Sequence, residues 1–180
     1  MEEKKQTIKK IISAAMNIDI SQFSLLLLLL WILVMYGHSL TPAVLSSQES
    51  SRALLLVRQL FQSAGVEAAW LTEHMVRKGA HFGEYCIFGI LLVFYLKNRP
   101  KRRYGHRQWE LELLCPAALA VVLVPFLDET IQLFVAGRSA QVTDVWLDIA
   151  GSCFGILICQ IPALLGIRFN RTKPRRPRKW

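Results

Sequence analysis

Four stretches of the chain are apolar over lengths that matter for a bilayer, and the polar residues gather between them. Residues 20–40, which include SQFSLLLLLLWILVMYGHSL, hold no charged residue and only His38 near their end. At about 1.5 Å per residue this run reaches about 31 Å, the thickness of a hydrocarbon core. The second run ends in GEYCIFGILLVFYL (83–96), between Arg77–Lys78 and Lys97. The third, LLCPAALAVVLVPFL (113–127), is followed at once by Asp128–Glu129, and the fourth is IAGSCFGILICQIPALLGI (149–167). The pattern predicts four transmembrane helices, with Pro116, Pro125 and Pro162 as positions able to hinge them. Between the first two runs, Leu54, Val57, Phe61 and Ala64 recur at helical spacing in SRALLLVRQLFQSA (51–64). That spacing predicts an amphipathic helix on the outer surface or against the bundle. Gly65 ends it, and a further helix starts near Val66 or Glu67 and runs on into the second span. The expected fold class is all-α: a polytopic membrane helix bundle of four transmembrane helices plus an outer-face amphipathic helix.

Composition supports this and narrows it. Of 180 residues, 53% are hydrophobic and 19% charged, where a soluble domain carries about 25% charged residues spread over its surface. With roughly 20 residues per span, the length leaves room for one membrane domain, residues 20–168, and excludes a large multi-domain enzyme. Residues 1–19 form a basic tail, and residues 169–180 a polybasic, Pro-interrupted tail expected to be disordered and to rest on anionic lipid headgroups.

The net charge of +9 would suit nucleic acid, but the basic residues flank apolar segments, as in membrane proteins. No nucleic-acid partner is expected; membrane lipids are. The N-terminal tail, residues 97–110 and the C-terminal tail hold 17 of the 22 Lys and Arg, against five in the two intervening loops. The positive-inside rule then places both termini in the cytoplasm of a multi-pass protein of the cell membrane. The first run is long for a cleaved signal peptide, and Gly37–His38–Ser39 is a poor cleavage site, so it reads as a retained span. Cys86, Cys115, Cys153 and Cys159 all lie in apolar runs without metal-ligand spacing, and read as small hydrophobes.

Polar side chains inside a membrane are costly, and here they are not scattered. Lys78, His81, Glu84 and Tyr85 open the second span; Asp128, Glu129 and Gln132 close the third. Arg138 and Ser139 lie in the next loop, and Asp144 and Asp148 open the fourth span. Under the topology above, all lie at the outer face. His74, Lys78, His81 and Tyr85 step by four, three and four, so they share one helix face. Asp148, Gly151 and Gly155 do the same, and small residues there permit close helix approach. The charge-free part of the third span covers only about 22 Å, which places Asp128 and Glu129 below the interface. Buried there, they need Lys78, Arg138, His81 or a metal ion as partners.

This set suggests acid–base chemistry on an anionic ligand. Lys78 and Arg138 suit a phosphate or carboxylate, with Tyr85, Gln132 and Ser139 as further binding groups. His81 suits proton transfer, with Glu84 or Asp128 orienting it. Glu129 completes the acidic group, and Asp144 is positioned to hold Arg138. His81 with Glu84, Asp128 and Asp144 offers mixed nitrogen and oxygen donors. No H-x-x-x-H or H-E-x-x-H spacing is present, so no metal ligands are assigned and no cofactor is specified. The competing reading is structural: charges at span ends mark the interface or pair into a network that joins helices.

The same residues carry a resemblance. RKGAHFGEYCIFG (77–89) is similar to a Lys-x-x-His-Phe-x-x-Tyr pattern, and DETIQLFVAGRS (128–139) to Asp-Glu-x-x-Gln-x-Phe-x-x-Gly-Arg-Ser/Thr. TDVWLDIAGSCFG (143–155) is similar to Asp-Val-x-x-Asn-x-x-Gly-x-x-x-Gly, and LSSQESS (45–51) resembles a Ser-Ser-Gln turn after the first span. Together they resemble the VanZ-like family over about residues 25–167. The chain departs from the pattern at Asp148, where the family usually has Asn; an acid there adds charge and argues against a purely amide hydrogen-bonding role. The resemblance implies a membrane protein associated with tolerance of teicoplanin-type glycopeptide antibiotics. It supplies no reaction.

Three functions follow as expectations. One is an envelope enzyme or binding factor acting at the outer face on a lipid-linked peptidoglycan precursor or a glycopeptide-related envelope component. The second is a non-catalytic binding or scaffold protein whose polar cluster joins helices. The third is a small transporter, although no inverted repeat is visible and the cluster sits at one face rather than the midplane.

Overall fold

The computed structural model describes residues 19–99 and 106–161, with the backbone alone for 106–114. Five helices follow in order: α1 (Ile20–Ser39), α2 (Ala43–Ser63), α3 (Glu73–Asn98), α4 (His106–Gln132) and α5 (Val142–Ile158). No strand occurs among the described residues. The two terminal tails read from the sequence lie outside the described residues, apart from Asp19.

Three helices are long and apolar enough to cross a membrane: α1, α3 and the Cys115–Gln132 part of α4. The first matches the leading apolar run to within one residue. Its start is fixed by a capping box, in which the Asp19 backbone N–H donates to Gln22 Oε1 at 3.3 Å, satisfying a donor the helix cannot use internally. α4 continues through both Pro116 and Pro125. α5 begins seven residues before the apolar run that announced it, at Val142, and is 17 residues long; Pro162 lies outside the described residues.

Two expectations for the connection after α1 are corrected. The surface helix starts at Ala43, not near Ser51: Pro42 sits extended at its N-cap, and the polar SSQESS segment continues the helix rather than forming a turn. No second helix starts at Val66 or Glu67. Residues 66–72 are an irregular connector, and α3 starts at Glu73, where the Thr72 side chain accepts from the Met75 backbone N–H at 3.3 Å. The connector is tied down by Arg58, which donates to Leu71 O at 2.7 Å, and by the edge-to-face pair Phe61–Trp70.

α3 is the hub. It packs most extensively on α5 and also meets α1 and α2, while α1 and α5 both meet α4. The helices therefore form a ring in the order α1, α3, α5, α4, with α3 and α4 facing each other across the middle and touching little. Tyr85, Phe88 and Leu92 of α3 join Leu28 and Met35 of α1 and Val121 of α4 in the core. Outward-facing residues such as Leu26, Leu29, Leu33, Leu123 and Phe126 are exposed and apolar, as lipid contact requires.

Lipid tails are as apolar as leucine, so apolar burial does not by itself hold such helices together; close packing and polar ties do. Both are present. A Cβ at Gly151 would lie 2.6 Å from Phe82 O, and Cβ atoms at Gly89 and Gly155 would collide with Ser152 O and Cys86 O. Only glycine at these three points lets α3 and α5 approach so closely. Trp31 Nε1 donates to Glu84 O at 3.0 Å and the Tyr36 hydroxyl to Val124 O at 3.3 Å, tying α1 to α3 and to α4.

Candidate functional site

The polar ends of four helices converge at one end of the bundle. They are the C-terminal ends of α1 and α4 and the N-terminal halves of α3 and α5, joined by the 133–141 loop and flanked by α2. Helical phase aims each group inward: Lys78, His81 and Tyr85 share one face of α3, Asp128 and Gln132 one face of α4, and Asp144 and Asp148 one face of α5. A cavity of about 120 Å³ opens here, lined by His74, Lys78, His81, Arg138, Ser139 and Asp144 among others. An adjoining hollow of about 180 Å³ is lined by His38, Glu49, Glu84 and Val76. Arg77, His81, Arg138 and Ser46 border both, so α2 forms a shared wall through Ser46.

The structure pairs these groups differently from the sequence-based expectation. Lys78, not Arg138, forms the ion pair with Asp144. Arg138 instead donates from Nε to Thr41 O at 2.9 Å and from Nη2 to His38 O at 3.2 Å. It thus satisfies carbonyls where α1 ends and pins the α4–α5 loop to the α1–α2 corner, helped by Ala43 N–H donating to Ala136 O at 3.3 Å. Burial pulls the Arg138 guanidinium below its ordinary value while Asp128 opposes that shift; an arginine stays charged under such pressure.

Glu84 pairs with His38 Nδ1 at 2.7 Å. Glu129 accepts from Gln132 Nε2 and from the Gln141 backbone N–H, both at 3.1 Å, which couples the end of α4 to the start of α5. Ser139 lies exposed on the cavity wall.

Three groups remain beneath these pairs. His81, Asp128 and Asp148 each offer a ligand atom, and the three atoms lie within 4.8 Å of one another. Asp128 and Asp148 are fully buried. Both carboxylate oxygens of Asp148 and Oδ1 of Asp128 have no close hydrogen-bond partner, and the Tyr85 hydroxyl faces Asp128. A buried carboxylate without partners is costly, and groups of this kind gather where a site does chemistry or binds an ion.

Three contributors were not singled out as site residues from the sequence. Asp148 belongs to the polar group that opens the fourth span and lies one turn after Asp144 on the inward face of α5, but the sequence assigned it no binding or catalytic role. Arg77 borders both hollows and makes no hydrogen bond or ion pair among the described residues. Its signal was weak, because an arginine at a span boundary ordinarily marks the interface. His38 looked like the polar end of an apolar run, and only the α1–α3 contact gives it Glu84.

The family model described as VanZ/LLP1 matches residues 23–164. No curated protein and no solved structure matches the chain.

Proposed function

The chain belongs to the VanZ/LLP1 family, and from that membership we propose that it acts at the outer face of the cytoplasmic membrane on or near lipid-linked envelope components, with tolerance of teicoplanin-type glycopeptides as the cellular consequence. The observation that carries this reading is the cavity bordered by Arg77 and Arg138. Lys78 is neutralised by Asp144, but neither arginine has a carboxylate partner among the described residues. Two guanidinium groups over a partly enclosed hollow favour an anionic oxygen group such as a phosphate. A volume of about 120 Å³ accommodates a group of that size, since a water occupies about 30 Å³. The exposed apolar residues of α2, Val44, Leu45, Leu55, Leu56 and Leu60, suit a helix lying against lipid beside the cavity, where the tail of such a ligand would run.

Orientation rests on charge: 17 of 22 basic residues belong to the two tails and the 97–110 segment, which the positive-inside rule assigns to the cytoplasm, and this favours the cavity facing outward. On this reading α5, 17 residues long, serves as the fourth span. Within the cavity, His81 is the group suited to proton transfer, with Asp128 beside it.

The non-catalytic reading has its own support. Arg138 gives two of its five N–H donors to backbone carbonyls and Lys78 pairs with Asp144, so part of the cluster joins helices. Arg77 separates ligand recognition from folding, because it makes no hydrogen bond or ion pair among the described residues. Arg77→Gln, at wild-type membrane levels, is expected to reduce tolerance of teicoplanin and to shift the pool of lipid-linked wall precursors toward that of deletion cells. Full tolerance with an unchanged pool would reject the cavity as the ligand site. His81→Gln that still associates with extracted precursor but loses tolerance favours catalysis.

A further inference from the structure

We infer that His81, Asp128 and Asp148 bind one divalent transition-metal cation, Zn²⁺ or Mn²⁺, at the inner wall of the cavity. Proximity is the first observation: three ligand atoms from three helices lie within 4.8 Å of one another. Donors around a four-coordinate ion at about 2.0–2.2 Å stand roughly 3.4 Å apart, so rotation of two carboxylates closes the difference.

The second observation is independent of the first. Asp148 is completely buried, and neither of its carboxylate oxygens has a partner; Asp128 leaves Oδ1 unpartnered as well. The cations that would ordinarily serve them are committed elsewhere, Lys78 to Asp144 and Arg138 to two carbonyls. Two adjacent buried carboxylates carry the charge that one divalent ion cancels.

The donor set narrows the cation. One imidazole with two carboxylates stands between the all-oxygen sites of Mg²⁺ and Ca²⁺ and the thiolate-rich sites of softer metals. Three protein ligands also leave a coordination position open. His81 borders the cavity, so that position has access to it. The Tyr85 hydroxyl, beside Asp128, is placed to orient the Asp128 carboxylate, as hydrogen-bond partners of metal ligands do. The neighbouring acids are accounted for: Glu84 holds His38, Glu129 holds Gln132 and Gln141, and Asp144 holds Lys78. This inference stands apart from the lipid-ligand reading, since metal binding is measured without any substrate.

The test uses the purified full-length protein in detergent, stripped with a chelator, desalted and titrated with Zn²⁺. About one Zn²⁺ per chain and a zinc-dependent rise in Tm are expected. Asp148→Asn and Asp128→Asn, which keep side-chain volume, should each lower affinity at least tenfold and abolish that rise. His74→Gln, a cavity histidine outside the set, should bind as the wild type does. Because free thiols also take zinc, Mn²⁺ followed by paramagnetic resonance is the second probe; its bound signal should appear in the wild type and vanish in Asp148→Asn. Wild-type protein that binds neither ion overturns the inference. So does zinc that survives both aspartate substitutions and disappears only when the four cysteines are replaced by serine.

Discussion

Gly151→Ala is the most direct test of how the site is held together. Gly151 lies three residues after Asp148, where α5 presses on α3. A Cβ there would stand 2.6 Å from Phe82 O and 3.2 Å from Tyr85 Cβ, whereas ordinary van der Waals contact begins at 3.4 Å. The obstacle is a backbone carbonyl inside a helix and cannot rotate away, so α3 and α5 must part locally by about 0.8 Å, the difference between the two distances. Overpacking of this kind costs about 1–3 kcal/mol, and for a chain of this size each kcal/mol shifts Tm by about 2–4 °C. A fall in Tm of roughly 2–12 °C is expected in detergent. Gly79→Ala and Gly83→Ala supply the opposite sign on α3. Nothing lies within 4 Å of a Cβ at either position, so alanine brings its better helix propensity, up to about 1 kcal/mol, with no clash. The assay is thermal unfolding of the three variants, followed by the loss of the monodisperse detergent-solubilised peak. Gly151→Ala as stable as wild type, or shifted upward like the two controls, would refute the close α3–α5 contact and the placement of Asp148 beside His81 that depends on it.

Two further outcomes test other parts of the structure. Arg138→Ala leaves Thr41 O without its donor and removes one of the donors to His38 O, which keeps the Thr41 N–H, and should destabilise the protein by about 1–3 kcal/mol; Arg138→Lys should recover only part of this, since a single ammonium cannot copy the two-pronged geometry, and full recovery in a melting experiment would reduce Arg138 to a counter-ion. In a cysteine-free background, Gly105→Cys should react with a membrane-impermeant thiol reagent only after the cells are opened, and Gln141→Cys should react in intact cells, because of the basic-residue bias; the reverse pattern would turn the cavity toward the cytoplasm.

Much of the architecture was legible along the chain. A run as uniform as residues 20–40 has no other place to go than a bilayer or a core, and α1 follows it to within one residue. The four polar segments were visible as a group at one depth, because each sits at the matching end of its apolar run. The glycines after Asp148 marked a close-packing face, and α5 uses it against Phe82 and Cys86. Buried carboxylates at 128 and 129 followed from the short charge-free part of the third run. Less legible were the helix starts. Residues 43–50 begin α2 with the polar run SSQES, and polar composition alone does not distinguish a helix turn facing a cavity from a loop.

What the tertiary structure alone decided is the pairing. Periodicity fixes which side chains share a face of one helix, but not how that helix is rotated and raised against its neighbours. The ring order sets this. Because α3 meets α5 closely and faces α4 across the middle, Lys78 meets Asp144, and Asp148 rather than Glu84 joins His81 and Asp128. Because α1 meets α3, Glu84 turns to His38. Because the 133–141 loop folds onto the α1–α2 corner, Arg138 reaches carbonyls instead of an acid. Charge–charge partners are chosen over a few ångströms, while residues of one sequence stretch are placed relative to another only by helix–helix packing, and that packing is set by small residues whose consequence appears only when two helices meet.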